Sequence, residues 1–212
     1  QLFTPNWIVR YMVQNTVGRL AIERLGIEKD SSKYWEYFLM PKDGLEIEVG
    51  QKIEDIKIID SAMGSGHILT YTFDLLFDIY SELSWTPKEA VISILKNNIY
   101  GLEIDDRAGQ LASFALVMKA REKFSRLFKT LETENIKLNT ISLKDSKSIS
   151  KFTEEQLRMN NLNELYYLID IFKNAKEIGS IVKIKEIDFQ KLDEQVRKYN
   201  EINHFDYIEI QD

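Results

Sequence analysis

The residues best able to do chemistry stand in two short stretches, Asp60-Ser61-Ala62-Met63-Gly64-Ser65-Gly66 and Gly101-Leu102-Glu103-Ile104-Asp105. Glycines at 64 and 66 let a backbone turn tightly and let a ligand come close, and amides at the start of a following helix offer donors to a carboxylate or phosphate. An acid just before such a turn suits an amine or hydroxyl better than a phosphate. The spacing is neither GxGxxG nor GxxxxGK(S/T), so the usual phosphate cradles of dinucleotides and nucleoside triphosphates are missing. Glu103 is placed to accept hydrogen bonds from both hydroxyls of a ribose, with Ile104 beside it to pack on a purine face. One acid for an amino group and one for a ribose describe a nucleoside with a cationic amino-acid tail, and S-adenosylmethionine fits.

The elements that must position these residues follow from hydrophobic patterning. IKIID, residues 56–60, is a short β-branched run ending in Asp60, and apolar residues at Leu69, Phe73, Leu76, Ile79 and Leu83 predict a helix starting as the glycines end. A second helix is expected from Pro87 after Thr86, delivering the chain to a second buried strand, IYGLEID. A third helix follows with Ala108, Leu111, Ala112, Ala115 and Leu116 on one face, then a third short strand over residues 136–143. Strand–helix alternation with right-handed crossovers implies a parallel sheet covered on both faces. Upstream, Thr4 is expected as an N-cap and Pro5 as the first residue of an amphipathic helix ending at Gly26. Residues 36–49 read as a short hairpin or an irregular insertion. After Lys144 the composition turns to Ser, Lys, Asn and Glu. Apolar residues stand at helical spacing (Leu157, Leu162, Leu165, Leu168, Ile169, Phe172, then Phe189, Leu192, Val196, Tyr199), which predicts a helical insertion; FDYIEI, residues 205–210, resembles a strand fragment.

Composition narrows the function classes. A chain of 212 residues, 44% hydrophobic and 29% charged, is globular and sized for one domain with an insertion. No cysteine and two histidines, His67 and His204, exclude disulfides, thiolate zinc sites and cysteine nucleophiles, and leave no expected metal site. The net charge of −6 makes the whole surface unsuited to nonspecific polyanion binding, so any nucleic-acid contact is local or made by other chain. No membrane-length apolar run and no secretory leader are seen, so a cytoplasmic location and no membrane partner are expected. The start at Gln1 and the ending YIEIQD lead to the expectation of a piece of a longer protein.

FTPNWIVRYMV, DSAMGSGH and YGLEIDDRAGQLA succeed one another as they do in amino (N6-adenine) DNA methyltransferases, and the chain resembles the large enzymes of bacterial defence systems, of the BREX phage-exclusion type and the fused type II restriction-modification type. That resemblance covers roughly residues 1–144. It implies a Rossmann-like three-layer α/β methyltransferase fold, here with an incomplete parallel sheet and a C-terminal helical insertion over 145–212. It implies S-adenosylmethionine as cofactor, double-stranded DNA as substrate through flipped adenine, and possible defence-system subunits as partners. Within it, Thr4 and Pro5 match the segment closing over the methionine carboxylate. Asp60, Ala62, Gly64 and Gly66 match the methionine-side loop, Glu103 the ribose acid and Ile104 the adenine-packing position. Asn139 or Ser142 is nearest to the position that binds the adenine amino group, where the usual acid is missing. The family transfers the methyl group through an Asn/Asp-Pro-Pro-Tyr/Phe loop. The prolines here, Pro5, Pro41 and Pro87, are never adjacent, so no catalytic residue is assigned and these residues alone are expected not to methylate.

Alone, DSAMGSG is an ordinary strand-to-helix turn; its agreement with Glu103 and the upstream FTP on one ligand favours cofactor binding. His67 reads as loop scaffolding, and Trp7, Tyr11, Trp35, Phe38 and Tyr100 as core. The cluster Lys119, Arg121, Lys123, Arg126 and Lys129 reads as a solvated face. Competing functional readings are a noncatalytic cofactor-sensing or assembly module, and a methyltransferase acting on protein glutamine or RNA.

Overall fold

The strand expected at 56–60 forms as β1 (Ile58–Asp60), the next as β2 (Ile99–Glu103) and the last as β3 (Asn139–Ser142), in a parallel sheet of order β1-β2-β3. The computed structural model describes residues 4–27, 35–143, 154–173 and 183–208. The chain divides into two units, residues 1–143 and 144–212.

In the first unit, α1 (Asn6–Val13) runs through a π turn over Gln14–Gly18 into α2 (Arg19–Leu25), which stops at Gly26 in the left-handed region, φ 69°. Pro5 occupies the N-cap and Thr4 precedes it, so the expected cap on Thr4 is not made: the Pro5 carbonyl accepts from the amides of Ile8 and Val9, and no side chain caps the helix. The π turn buries Gln14, whose side chain donates to the Tyr71 hydroxyl at 2.6 Å and accepts the Tyr37 amide at 2.8 Å. Residues 36–49 are irregular, not a hairpin.

Between β1 and β2 lie α3 (His67–Glu82) and α4 (Pro87–Ser93), followed by a second π turn over Ile94–Asn98. Thr86 and Glu89 form a reciprocal capping box in which each side chain accepts the other residue's amide, and Pro87 fills the first turn as its pattern predicts. Between β2 and β3 come α5 (Asp106–Lys123) and α6 (Leu127–Thr133), the latter unforeseen. The buried stripe of α5 is Gly109, Ala112, Leu116 and Ala120; Leu111, expected on it, is 52% exposed.

Both crossovers step the same way across the sheet, so their helices fall on one face. Leu69 of α3 lies over Gly101, and Ser113 of α5 bonds Thr140, the register partner of Gly101, at 2.8 Å. Of the layers expected, the described residues supply the sheet and one helical layer. Ile59 and Ile141, on the other face, are 62% and 54% exposed, which corrects the expectation of cover on both sides. A second layer comes in this class of fold only where the chain reverses direction across the sheet.

The second unit contains α7 (Glu154–Met159), α8 (Asn163–Ile171) and α9 (Phe189–Ile208). Leu157, Leu162, Leu165, Ile169 and Tyr199 form its buried cluster, with Gln195 accepting the Leu165 amide at 3.0 Å. Phe189 is 76% exposed, outside the core expected of it. The strand fragment expected at 205–210 is instead helical through Ile208: adding one residue to an existing helix gains a hydrogen bond, whereas a lone strand has no partner. Residues 209 and 210 lie outside the described residues.

Candidate functional site

The carboxyl edge of the sheet gathers Asp60, Glu103 and Ser142. In register, Asp60 sits opposite Gly101 and Glu103 opposite Ser142, so both acids reach the rim where open α/β sheets bind ligands. One oxygen of Asp60 accepts the Ala62 amide at 3.1 Å, which starts the turn and leaves the other oxygen for a ligand. The loop then drops Met63 into the core, its amide bonded to the Leu102 carbonyl at 3.0 Å, and so fastens to β2.

The glycines differ in what they face. Gly64 has φ 53° and nothing within 4 Å of where a Cβ would stand, so its backbone is open to a ligand. Gly66 has φ 84° and is buried; a Cβ there would come within 2.9 Å of the Ala112 Cβ and 3.0 Å of the Ala112 Cα. It lets α3 and α5 approach and caps α3, its carbonyl accepting the Thr70 amide at 2.8 Å.

Glu103 is the most heavily bonded side chain of the rim. Its Oε1 accepts the amides of Ile104 at 2.9 Å and Asp105 at 3.0 Å, and its Oε2 accepts the Gly64 amide at 2.7 Å. One carboxylate therefore joins the two loops. The sequence gives no hint of this contact, which spans 39 residues. Ile104 follows, 59% exposed, an apolar side chain held in solvent beside the acid. Asp105 then caps α5, accepting the Arg107 and Ala108 amides at 2.8 and 3.0 Å. That cap was readable as an acid before a helical pattern and was missed.

Thr4, with Asn6, Arg10, His67, Tyr71 and Lys119, lines a cleft of about 330 Å³, which brings Thr4 to the exit of the glycine loop. Pro5 is exposed beside it. Lys119 is held by Asp74 at 3.0 Å, a bond that keeps its ammonium above the usual lysine range, and Arg10 faces Glu36 at 3.6 Å; the cations of the cleft are thus already matched by acids. Asn139 is not brought to the rim. It opens β3 at the opposite end of the sheet, opposite Tyr100, and its amide donates to the carbonyls of Leu95 and Lys96 at 3.2 and 3.1 Å, closing the second π turn. Ser142 is the member of that pair at the carboxyl edge.

Trp35 is buried and Phe38 packs against the core as expected, but Trp7 and Tyr11 are exposed by 56% and 44%. In the basic cluster, Arg121 lies 5.1 Å from the ring of the exposed Phe128 and Lys123 4.9 Å from the ring of the half-buried Phe77. Among the described residues no helix is long and apolar enough to cross a membrane.

A parallel sheet whose first strand ends in an acid and a glycine turn, and whose second ends in another acid, is an open α/β arrangement of the kind that takes ligands at the carboxyl ends of its strands. The sequence profile described as "MmeI, DNA-methyltransferase domain" matches residues 42–210, and the chain belongs to that family. It is 34% identical over 205 residues to the adenine-specific methyltransferase PglX of Lacticaseibacillus casei, which covers 89% of this chain and 17% of that protein. It is 34% identical over 222 residues to the adenine-specific methyltransferase BrxX of Escherichia coli O9:H4, covering 89% and 18%. It is 23% identical over 241 residues to a putative type II restriction enzyme and methyltransferase, RM.MjaORFECS2P, of Methanocaldococcus jannaschii, covering 93% and 20%. The chain thus spans about a fifth or less of the length of these relatives.

Proposed function

We propose that residues 1–144 are the S-adenosylmethionine-binding half of a site-specific DNA adenine-N6 methyltransferase of a bacterial defence or restriction-modification system, acting in the cytoplasm on adenine flipped from double-stranded DNA, and that residues 145–212 are a helical accessory segment. The observation that carries this reading is the pair of strand-end acids, Asp60 and Glu103, with the open backbone of Gly64 between them. The fit is chemical. An unspent oxygen on Asp60 accepts from an ammonium, Glu103 accepts from a ribose hydroxyl with the lone-pair site its three amides leave, and a Cβ at position 64 would stand in the space a ligand needs. Bound, S-adenosylmethionine supplies an activated methyl group on a sulfonium sulfur.

What these residues contribute is placement. Asp60 and the Ala62–Gly66 loop hold the amino-acid end, Thr4 and Pro5 stand by its carboxylate, Glu103 holds the ribose, Ile104 packs on the adenine, and Ser142, in place of Asn139, faces its amino group. Positioning of this kind is a large part of the catalysis of a methyl transfer. The relatives' names supply the adenine specificity and the defence context, and other subunits of such a system are the partners it implies. The Asn/Asp-Pro-Pro-Tyr/Phe loop is not among the 212 residues, so the reading assigns them cofactor binding and not transfer.

Calorimetric titration of the chain with S-adenosylhomocysteine, on wild type and Glu103→Ala, tests this. Binding by wild type and a loss of tenfold or more in the variant are expected. No binding, or undiminished affinity in the variant, removes the assignment. Tritium transfer to adenine-containing DNA should stay at blank level.

A further inference from the structure

We propose that Glu103 is the positioning residue of the glycine loop, in addition to the ribose acid that the cofactor reading makes it. The inference rests on that reading only for what the loop is for. A carboxylate offers about four lone-pair sites. Two on Oε1 are taken by the amides of Ile104 and Asp105, and one on Oε2 by Gly64. Gly64 sits in the left-handed region with no atom within 4 Å of its Cβ position, so nothing packs against it on that side. Its neighbours are fastened otherwise: the Met63 amide goes to the Leu102 carbonyl at 3.0 Å and the Gly66 amide to the Met63 carbonyl at 2.8 Å. The charge-assisted bond from Gly64 to Glu103 is what holds the half-buried Gly64 amide between those two anchors.

The consequence is a coupling across the cleft. The acid at the ribose end holds the backbone at the amino-acid end, so a change at Glu103 alters the grip on parts of a ligand that never touch it. Glutamine at this position shows how. Its single carbonyl oxygen stays with the Ile104 and Asp105 amides, and its NH₂ is then turned toward another donor, the Gly64 amide. Aspartate keeps the charge but is one methylene too short to serve both loops.

Residue-resolved amide hydrogen exchange on the whole 212-residue chain, without ligand, tests the proposal. In wild type the Gly64 amide exchanges at least tenfold more slowly than an unprotected amide. In Glu103→Gln and Glu103→Asp that protection is lost, while Met63 and Gly66 keep theirs and so report an intact fold. Free exchange of Gly64 in wild type overturns the proposal, as does unchanged protection in the variants. If the glutamine variant unfolds, with Met63 and Gly66 exchanging freely too, the wild-type rate and the aspartate variant decide. A parallel titration with S-adenosylhomocysteine separates the two claims. A wild type that binds none of it, yet protects Gly64, supports the positioning role and removes the cofactor reading.

Discussion

Alanine at Gly66 and at Gly64 makes the same chemical change at two left-handed positions in one loop, yet the surroundings dictate different results. At either site an L-residue in this region costs about 1–2 kcal/mol. At Gly66 the new methyl would also stand 2.9 Å from the Ala112 Cβ and 3.0 Å from its Cα, atoms of a packed helix that cannot swing aside as a side-chain tip could. Such overpacking costs about 1–3 kcal/mol more, giving about 2–5 kcal/mol together. At Gly64 no atom lies within 4 Å, so only the backbone cost remains. Urea denaturation followed by circular dichroism should show Gly66→Ala losing about 1–3 kcal/mol more stability than Gly64→Ala. In a domain of this size the melting point falls roughly 2–4 °C per kcal/mol. Ligand binding should rank the other way among folded molecules: Gly64→Ala keeps its fold but loses S-adenosylhomocysteine affinity by more than tenfold, its methyl filling the approach to the backbone. Equal destabilisation by the two substitutions would refute the reasoning, because it would mean that Gly66 does not press on α5.

Glu103→Ala removes a carboxylate that accepts three amides, so it should weaken S-adenosylhomocysteine binding by roughly 10–100-fold in calorimetry, the worth of a hydrogen bond to a charged group. Asn139→Ala should lower stability in urea while leaving that affinity within twofold, because its amide serves the carbonyls of Leu95 and Lys96 at the far end of the sheet. Asn98→Ala takes its partner from the Ile56 carbonyl and one of two partners from the Ile53 carbonyl and the Tyr80 hydroxyl, all bonded to Asn98 at 2.8 Å, and should cost about 1–3 kcal/mol in the same assay. Burial pushes the Tyr80 hydroxyl up to about 12, above its ordinary value of 10.0. The unfolded chain thus gives up that proton first, and the stabilising difference present below pH 10 drains away as pH rises toward 12. Denaturation at stepped alkaline pH should show that loss in wild type and a smaller one in Tyr80→Phe.

The legible parts of the molecule were those where local pattern and tertiary need coincide. β-branched runs closed by an acid marked β1 and β2, glycine spacing marked the turn, and Thr86-Pro87 marked the start of α4. The misreadings arose where distant partners decided the outcome. Read as a strand over 136–143, Asn139 falls in the middle; but the Ile136 amide still bonds the Leu131 carbonyl at the end of α6, pairing begins only at Asn139, and the residue lands at the wrong rim. Leu111 fitted the same helical stripe as Ala112, but the contacts of Ala112 with Gly66, of Ser113 with Thr140 and of Gly109 with Ser142 set the inward face and leave Leu111 outside it. The bond from Glu103 to Gly64 has no local signature, since it depends on two loops meeting at the rim of a sheet.

The most direct measurement is a crystal structure of the chain grown with S-adenosylhomocysteine. The account predicts the ligand lying across the carboxyl edge of β1 and β2, its amino group on Asp60, its backbone-facing side over Gly64 and a ribose hydroxyl on Glu103. Density for the ligand at any other place, or in this cleft with Asp60 and Glu103 both turned away from it, would contradict the account.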